Sequence, residues 1–137
     1  MIRRISILCI VAGCLLAQTG CRKLTFNKTA NLGPGEVQQV ASISPPTYGQ
    51  KVSVTITPKD GPVSAYLCKS SDDDAVRKAL DQVKQEPAAG LLLASKPAGQ
   101  AAEAFTLEAS IPAKTGYSLW LRGGSKTTEV KIDLVGK

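Results

Sequence analysis

From about Glu36 onward the chain alternates apolar and polar residues with period two, the pattern of a strand buried on one face. Val52, Val54 and Ile56 alternate with Lys51, Ser53, Thr55 and Thr57, and the turn residues Pro58 to Pro62 stop the run. Val63, Ala65 and Leu67 share the next inward face, opposite Ser64, Tyr66 and Cys68. Phe105, Leu107, Ala109 and Ile111 follow the same rule, as do Tyr117, Leu119 and Leu121, and then Val130, Ile132 and Leu134. A weaker strand over Val37 to Ile43 and an apolar run from Leu91 to Ala94 bring the expected number to about seven. Short strands between Gly and Pro turns predict an all-β fold, an antiparallel β-sandwich of the jelly-roll or immunoglobulin-like kind. Roughly 100 residues suffice to bury such a core.

One segment follows a different period. Over Ser71 to Glu86 the residues Ala75, Val76, Ala79, Leu80 and Val83 share one helical face ahead of Pro87, which predicts a short inserted helix near 72–85. Ser71 with Asp74 reads as a capping box, and Asp72, Asp73 and Asp74 at the start with Arg77, Lys78 and Lys84 later complement the helix dipole. An apolar stripe must cover something. The large groups on the outward faces of the strands are Tyr66, Cys68 and Trp120, so the helix is expected to lie over them.

Ahead of the strands the pattern changes again. Arg3 and Arg4 precede an uncharged apolar run from Ile5 to Ala17, the build of a secretory signal. Thirteen residues make a helix of about 20 Å, short of the roughly 30 Å needed to span a bilayer. The run ends in Leu16-Ala17-Gln18-Thr19-Gly20-Cys21, which resembles the lipobox of bacterial lipoproteins, where an apolar residue and small residues precede an acylated Cys. Val11-Ala12-Gly13-Cys14 is similar to the same motif, but it leaves a short apolar core and an apolar mature start. Cys21 is the preferred lipidation site and Cys14 the alternative. The resemblance implies a signal over 1–20, a membrane anchored through acyl chains, and a place in the cell envelope. Residues 21–35 then read as a basic tether, with Arg22 and Lys23 against anionic lipid headgroups.

Charge fits that division. The 137 residues carry a formal +6, but from Glu36 to Lys137 there are 12 basic and 11 acidic residues, a balance of +1. No basic patch with interleaved aromatics marks the 36–137 domain for nucleic acid. The chain contains no His, which excludes Ser-His-Asp and Cys-His nucleophile systems and His-ligated metals. No cofactor is expected.

The remaining candidates each have a plainer reading. Asp72, Asp73 and Asp74 lack the alternating ligands and Gly bend of a calcium loop, so no metal is assigned to them. Tyr66, Tyr117 and Trp120 could stack on a sugar ring. Alternation sends Tyr117 to the core, leaving Tyr66 and Trp120 as a candidate binding face if the helix does not cover them. Cys68 would need a cation to become reactive, and neighbouring Lys69 points to the other face of its strand. Gly123 and Gly124 read as turn residues between two strands. No catalytic residue is assigned.

The succession of strands from Ala104 to Val135, with its Gly116-Tyr117 turn, loosely resembles pre-peptidase C-terminal modules of secreted bacterial proteins. Those modules act in binding or assembly. The expectation is therefore a non-catalytic envelope domain that contacts a protein or a glycan. The alternatives are a hydrolase using a carboxylate pair such as Glu108 with Asp133, or a passive structural spacer.

Overall fold

The computed structural model describes residues 24–82, 85–97 and 102–137, and within them the alternating segments become eight antiparallel strands. These are β1 (Leu24–Leu32), β2 (Val37–Ile43), β3 (Gln50–Pro58), β4 (Val63–Lys69), β5 (Ala94–Lys96), β6 (Phe105–Ile111), β7 (Tyr117–Gly123) and β8 (Thr128–Gly136). They form two four-stranded sheets, ordered β1-β8-β3-β6 and β2-β7-β4-β5. In both sheets strands distant in sequence are neighbours, the paired Greek keys of a jelly roll. The expected sandwich is therefore present.

The inward residues named from the alternation meet between the sheets. Val52, Val54, Ile56, Val63, Ala65, Leu67, Leu107, Ile111, Tyr117, Leu119, Leu121, Val130, Ile132 and Leu134 belong to one buried cluster. Phe105 and Ala109 pack against it while partly exposed.

The additional strand is β1, and it corrects the expectation of a tether over 21–35. Leu24 to Leu32 pair residue for residue with Gly136 to Thr128, so residues 24–32 belong to the sandwich. Leu24, Phe26, Ala30 and Leu32 do alternate with Thr25, Asn27, Thr29 and Asn31, but Lys28 stands on the inward side and interrupts the pattern. At the edge of a sheet that position stays open to solvent, so the charge is tolerated.

A bulge between Gln39 and Ala41 explains why β2 looked weak. It changes the strand's parity, so Val40 and Ala41 are both buried while Gln39 turns outward beside Trp120.

The predicted helix is shorter than 72–85. A 3-10 turn over Ser70–Asp72 leads into α1 (Asp73–Asp81). Its cap position makes no side-chain hydrogen bond, so the expected capping box does not form. Val76 and Leu80 are its buried residues; Ala75 is exposed, Ala79 partly so, and Val83 and Lys84 lie outside the described residues.

Candidate functional site

The two sheets have outer faces of different character. On the β1-β8-β3-β6 sheet the outward positions are Thr, Asn, Ser, Lys, Glu and Asp, with Val135 the apolar exception, and water is a sufficient partner. On the other sheet they include Tyr66, Cys68, Ser118, Trp120 and Arg122, brought side by side by the pairing of Tyr66 with Trp120 and of Cys68 with Ser118. Helix α1 closes over this face, as its stripe required. Tyr66, Cys68 and Trp120 form a second buried cluster with Val76 and Leu80, flanked by Val37, Leu91 and Leu92.

At the first turn of the helix, the Asp73 carboxylate gathers the polar groups of the covered face. Its Oδ1 accepts from Trp120 Nε1 at 3.0 Å and from Cys68 Sγ at 3.5 Å. Its Oδ2 accepts from Ser118 Oγ at 3.0 Å and from Gln39 Nε2 at 3.4 Å. Gln39 Nε2 also reaches Ser118 Oγ at 3.1 Å. Buried donors of this kind need an acceptor, and the carboxylate supplies one to strands β2, β4 and β7 together.

A second polar group fastens the chain that follows the helix. Arg122 donates to Glu86 Oε1 at 2.7 Å, to Tyr66 Oη at 3.2 Å and to the Gln85 carbonyl at 2.7 Å. Tyr66 Oη in turn donates to Glu86 Oε2, and the guanidinium lies 5.7 Å from the centre of the Tyr66 ring. Glu86 is about half exposed, which makes the ion pair itself modest, whereas Arg122 is only 14% exposed.

These contacts revise the sequence-based candidates. Tyr66 and Trp120, proposed as a binding face, are 1% and 7% exposed because α1 covers them, and Tyr117 is core, as alternation required. Cys68 is a free, buried thiol, and Lys69 beside it in sequence is exposed. Burial first, and then the negative charge of Asp73, pushes the thiol from 9.0 to about 12, which favours the protonated form over the thiolate. Asp73 turns toward the sheet while Asp74 stays exposed. Among the described residues no group of three or more potential ligands is placed to hold a metal. Glu108 stands opposite Ser53 and Asp133 opposite Thr55, on the two sides of β3. Two strand spacings separate them by about 10 Å before their offset along the sheet is added, so they do not form a carboxylate pair. A depression of about 620 Å³ runs past Lys51, Ser53, Leu93, Glu108 and Lys137, with Glu108 its one acid among the described residues. Arg22, Lys23, Cys14 and Cys21 lie outside the described residues.

The sequence reading missed Asp73 as the hub, because three consecutive acids do not reveal which one turns inward. The usable signal was the indole of Trp120, whose N–H needs an acceptor once the helix buries it.

The buried acids set an alkaline limit. Burial also pushes the Tyr117 hydroxyl from 10.0 to about 12, and the Tyr66 hydroxyl by a similar amount with help from its hydrogen bond to Glu86. All three groups are more acidic in the unfolded chain than in the fold. Their contribution is nearly complete below about pH 8.5, where the unfolded chain still holds most of these protons, and it is lost as pH rises toward 12. Denaturant midpoints should hold steady up to about pH 8.5 and then decline, each group adding at most about 1.4 kcal/mol per pH unit. Cys68→Ala and Tyr66→Phe should each flatten that decline. An unchanged slope would mean that burial does not shift these groups.

No protein-family model matches the chain, and no curated protein matches it. Among solved structures, it is similar to the Yersinia pseudotuberculosis-derived mitogen at 9% identity, over 81% of this chain and 84% of that one, with a TM-score of 0.46. It is similar to PirA at 16% identity, over 78% and 91% of the two chains, with a TM-score of 0.48. A de novo designed double-stranded β-helix is 14% identical over 80% and 97%, with a TM-score of 0.43. The likeness is one of fold.

Proposed function

We propose that this chain is a lipid-anchored protein of a bacterial cell envelope whose jelly-roll domain works by contact with a protein or a glycan rather than by catalysis. The carrying observation is the order of residues at its start: Arg3-Arg4, an apolar run too short to span a bilayer, and Leu16 to Cys21 in lipobox-like order. A secretory signal that ends in a Cys offers that thiol for acylation, and two or three acyl chains anchor stably where one does not. The composition of the domain supports the second half of the reading. It has no His, and its Cys68 is buried and protonated. Asp73 and Arg122 are engaged in holding the helix and the segment after it onto the sheet.

Radiolabelled palmitate tests the anchor in cells expressing the full chain. Wild type and Cys14→Ser should take up label and fractionate with membranes, whereas Cys21→Ser should do neither. Undiminished labelling of Cys21→Ser, or none of wild type, would refute the assignment of Cys21. Cross-linking in intact cells should then capture one reproducible partner.

A further inference from the structure

The strand directions gather several segments at the end of the sandwich where β1 starts. Residues 44–49 join β2 to β3 there, and residues 112–116 join β6 to β7. The 3-10 turn after Lys69 and the end of β8 lie at the same end. These segments are knit together: the Lys114 N–H donates to the Pro46 carbonyl at 2.7 Å, and the Ser70 N–H to the Gly116 carbonyl at 2.9 Å.

This end is basic. Lys51, Lys69, Lys114 and Lys137 are all exposed, and none makes an ion pair with a described residue. Lys51 and Lys137 exchange both backbone hydrogen bonds at 2.9 Å, so they stand directly opposite each other on the outer face of one sheet. Like charges so placed repel, and an anionic surface in front of them relieves the repulsion. The acids at this end are Asp72, in the 3-10 turn after Lys69, then Asp73, turned toward the outer face of the sheet, and Asp74 on the helix, with Glu108 diagonal to Lys51. Tyr48, in the turn over 44–49, is 57% exposed, and among the described residues no other large hydrophobic side chain is exposed. A ring with a polar tip suits the headgroup level of a bilayer. The opposite end is mixed, with Glu36, Asp60, Glu103 and Glu129 among Lys59, Lys96 and Lys126.

The geometry points to this end as a docking face for a bilayer of anionic lipids, with Lys51, Lys69, Lys114 and Lys137 toward the headgroups and Tyr48 at the interface. The inference rests on the reading of Cys21 as the anchor. From Cys21 to Leu24 is three residues, which extend at most about 10 Å. An anchor that short keeps the start of β1, and with it this end of the sandwich, close to the bilayer, where lysines are drawn to anionic lipid. The domain then stands on its basic end, and its mixed end faces away from the membrane.

Fluorescence quenching in vesicles tests this with the acylated full chain. A fluorophore is attached at Thr47→Cys in the basic end or at Ser125→Cys in the opposite end, both exposed positions, while Cys68 stays buried. Headgroup-spin-labelled lipid is the quencher, in vesicles of phosphatidylglycerol with phosphatidylcholine or of phosphatidylcholine alone. Quenching in the anionic vesicles should be severalfold greater at position 47 than at 125. It should fall toward the 125 value in high salt, or when Lys51, Lys69, Lys114 and Lys137 are all replaced by Gln. Equal quenching at the two ends, or quenching at 47 that ignores lipid charge, overturns the docking face. Palmitate labelling of the same preparations separates the two claims. A labelled chain without quenching at 47 refutes the face alone, and an unlabelled chain refutes the anchor and the face with it.

Discussion

Asp73→Ala should lower the stability of the domain by about 3 kcal/mol or more, since a buried donor left without its acceptor costs roughly 1–3 kcal/mol and several are orphaned at once. Trp120 Nε1 and Ser118 Oγ each lose a bond of 3.0 Å, and the Cys68 thiol loses its acceptor as well. Asp73 is partly exposed, so water entering its place recovers part of these bonds, but Ser118 and Cys68 are fully buried and are reached least. Two outcomes are open to the chain: the fold absorbs the cost, or α1 lifts and solvates the face. Trp120, the one tryptophan of the sequence, distinguishes them. Urea unfolding followed by far-UV circular dichroism gives the stability, and a red-shifted Trp emission before the main transition shows the helix lifting. Asp73→Asn keeps an acceptor oxygen and should lose less. A midpoint for Asp73→Ala within error of wild type would show that the hub contributes nothing.

Gly123→Ala should be at least as damaging, for a different reason. A Cβ built on Gly123 would meet the Gly33 carbonyl oxygen at 2.2 Å and lie 3.5 Å from the Gly35 nitrogen. Both are backbone atoms of the turn joining β1 to β2, and a backbone cannot swing aside as a flexible side chain does. The same turn is held by the Gly123 N–H, which donates to the Glu36 carbonyl at 2.8 Å, and by the Gly35 N–H, which donates to the Gly124 carbonyl at 3.0 Å. Gly35 itself sits at φ 68°, where a side chain is strained, so the turn has little freedom to rearrange. Overpacking of a well-filled site costs typically about 1–3 kcal/mol, and loss of the turn's hydrogen bonds adds to that. Against a typical total of roughly 5–15 kcal/mol, such a loss should lower the melting temperature by several degrees or more. Ser125→Ala, in the same connection but exposed, should change little. Gly123→Ala melting with wild type would mean that the turn moves freely.

That contact also sharpens the reading of Gly123-Gly124. The sequence marks them as turn residues, yet Gly123 is the last residue of β7, and what it needs is room. A Cβ on Gly124 would likewise stand 2.7 Å from the Pro62 carbonyl oxygen. Both glycines let neighbouring turns approach at the end of the sandwich away from the start of β1. No local pattern reports this, because the atoms concerned are some 60 to 90 residues away in the chain.

What the sequence determined by itself was the part that depends on period and polarity. Alternation assigned the core residues of β3, β4, β6, β7 and β8 correctly, because a strand that buries one face must place an apolar residue at every second position. It also showed that one sheet needs a cover: Tyr66, Cys68 and Trp120 point outward and are apolar, and the 3.6-residue period over Val76 and Leu80 supplies what covers them. Where a position escapes the usual demand, the pattern failed. Lys28 stands on the inward side of β1 because an edge is open to water, and it breaks the alternation that would mark the strand in the sequence. A bulge shifted β2 by one residue and hid its alternation.

Only the tertiary structure decided which strands pair, that Asp73 rather than Asp72 or Asp74 turns inward, and that Glu108 and Asp133 stand apart on either side of β3. It also decided that Lys51, Lys69, Lys114 and Lys137 share one end with the start of β1. These lysines are scattered over more than 80 residues of a domain whose net charge is close to zero. Composition averages such charges away, whereas strand direction sorts them to one end.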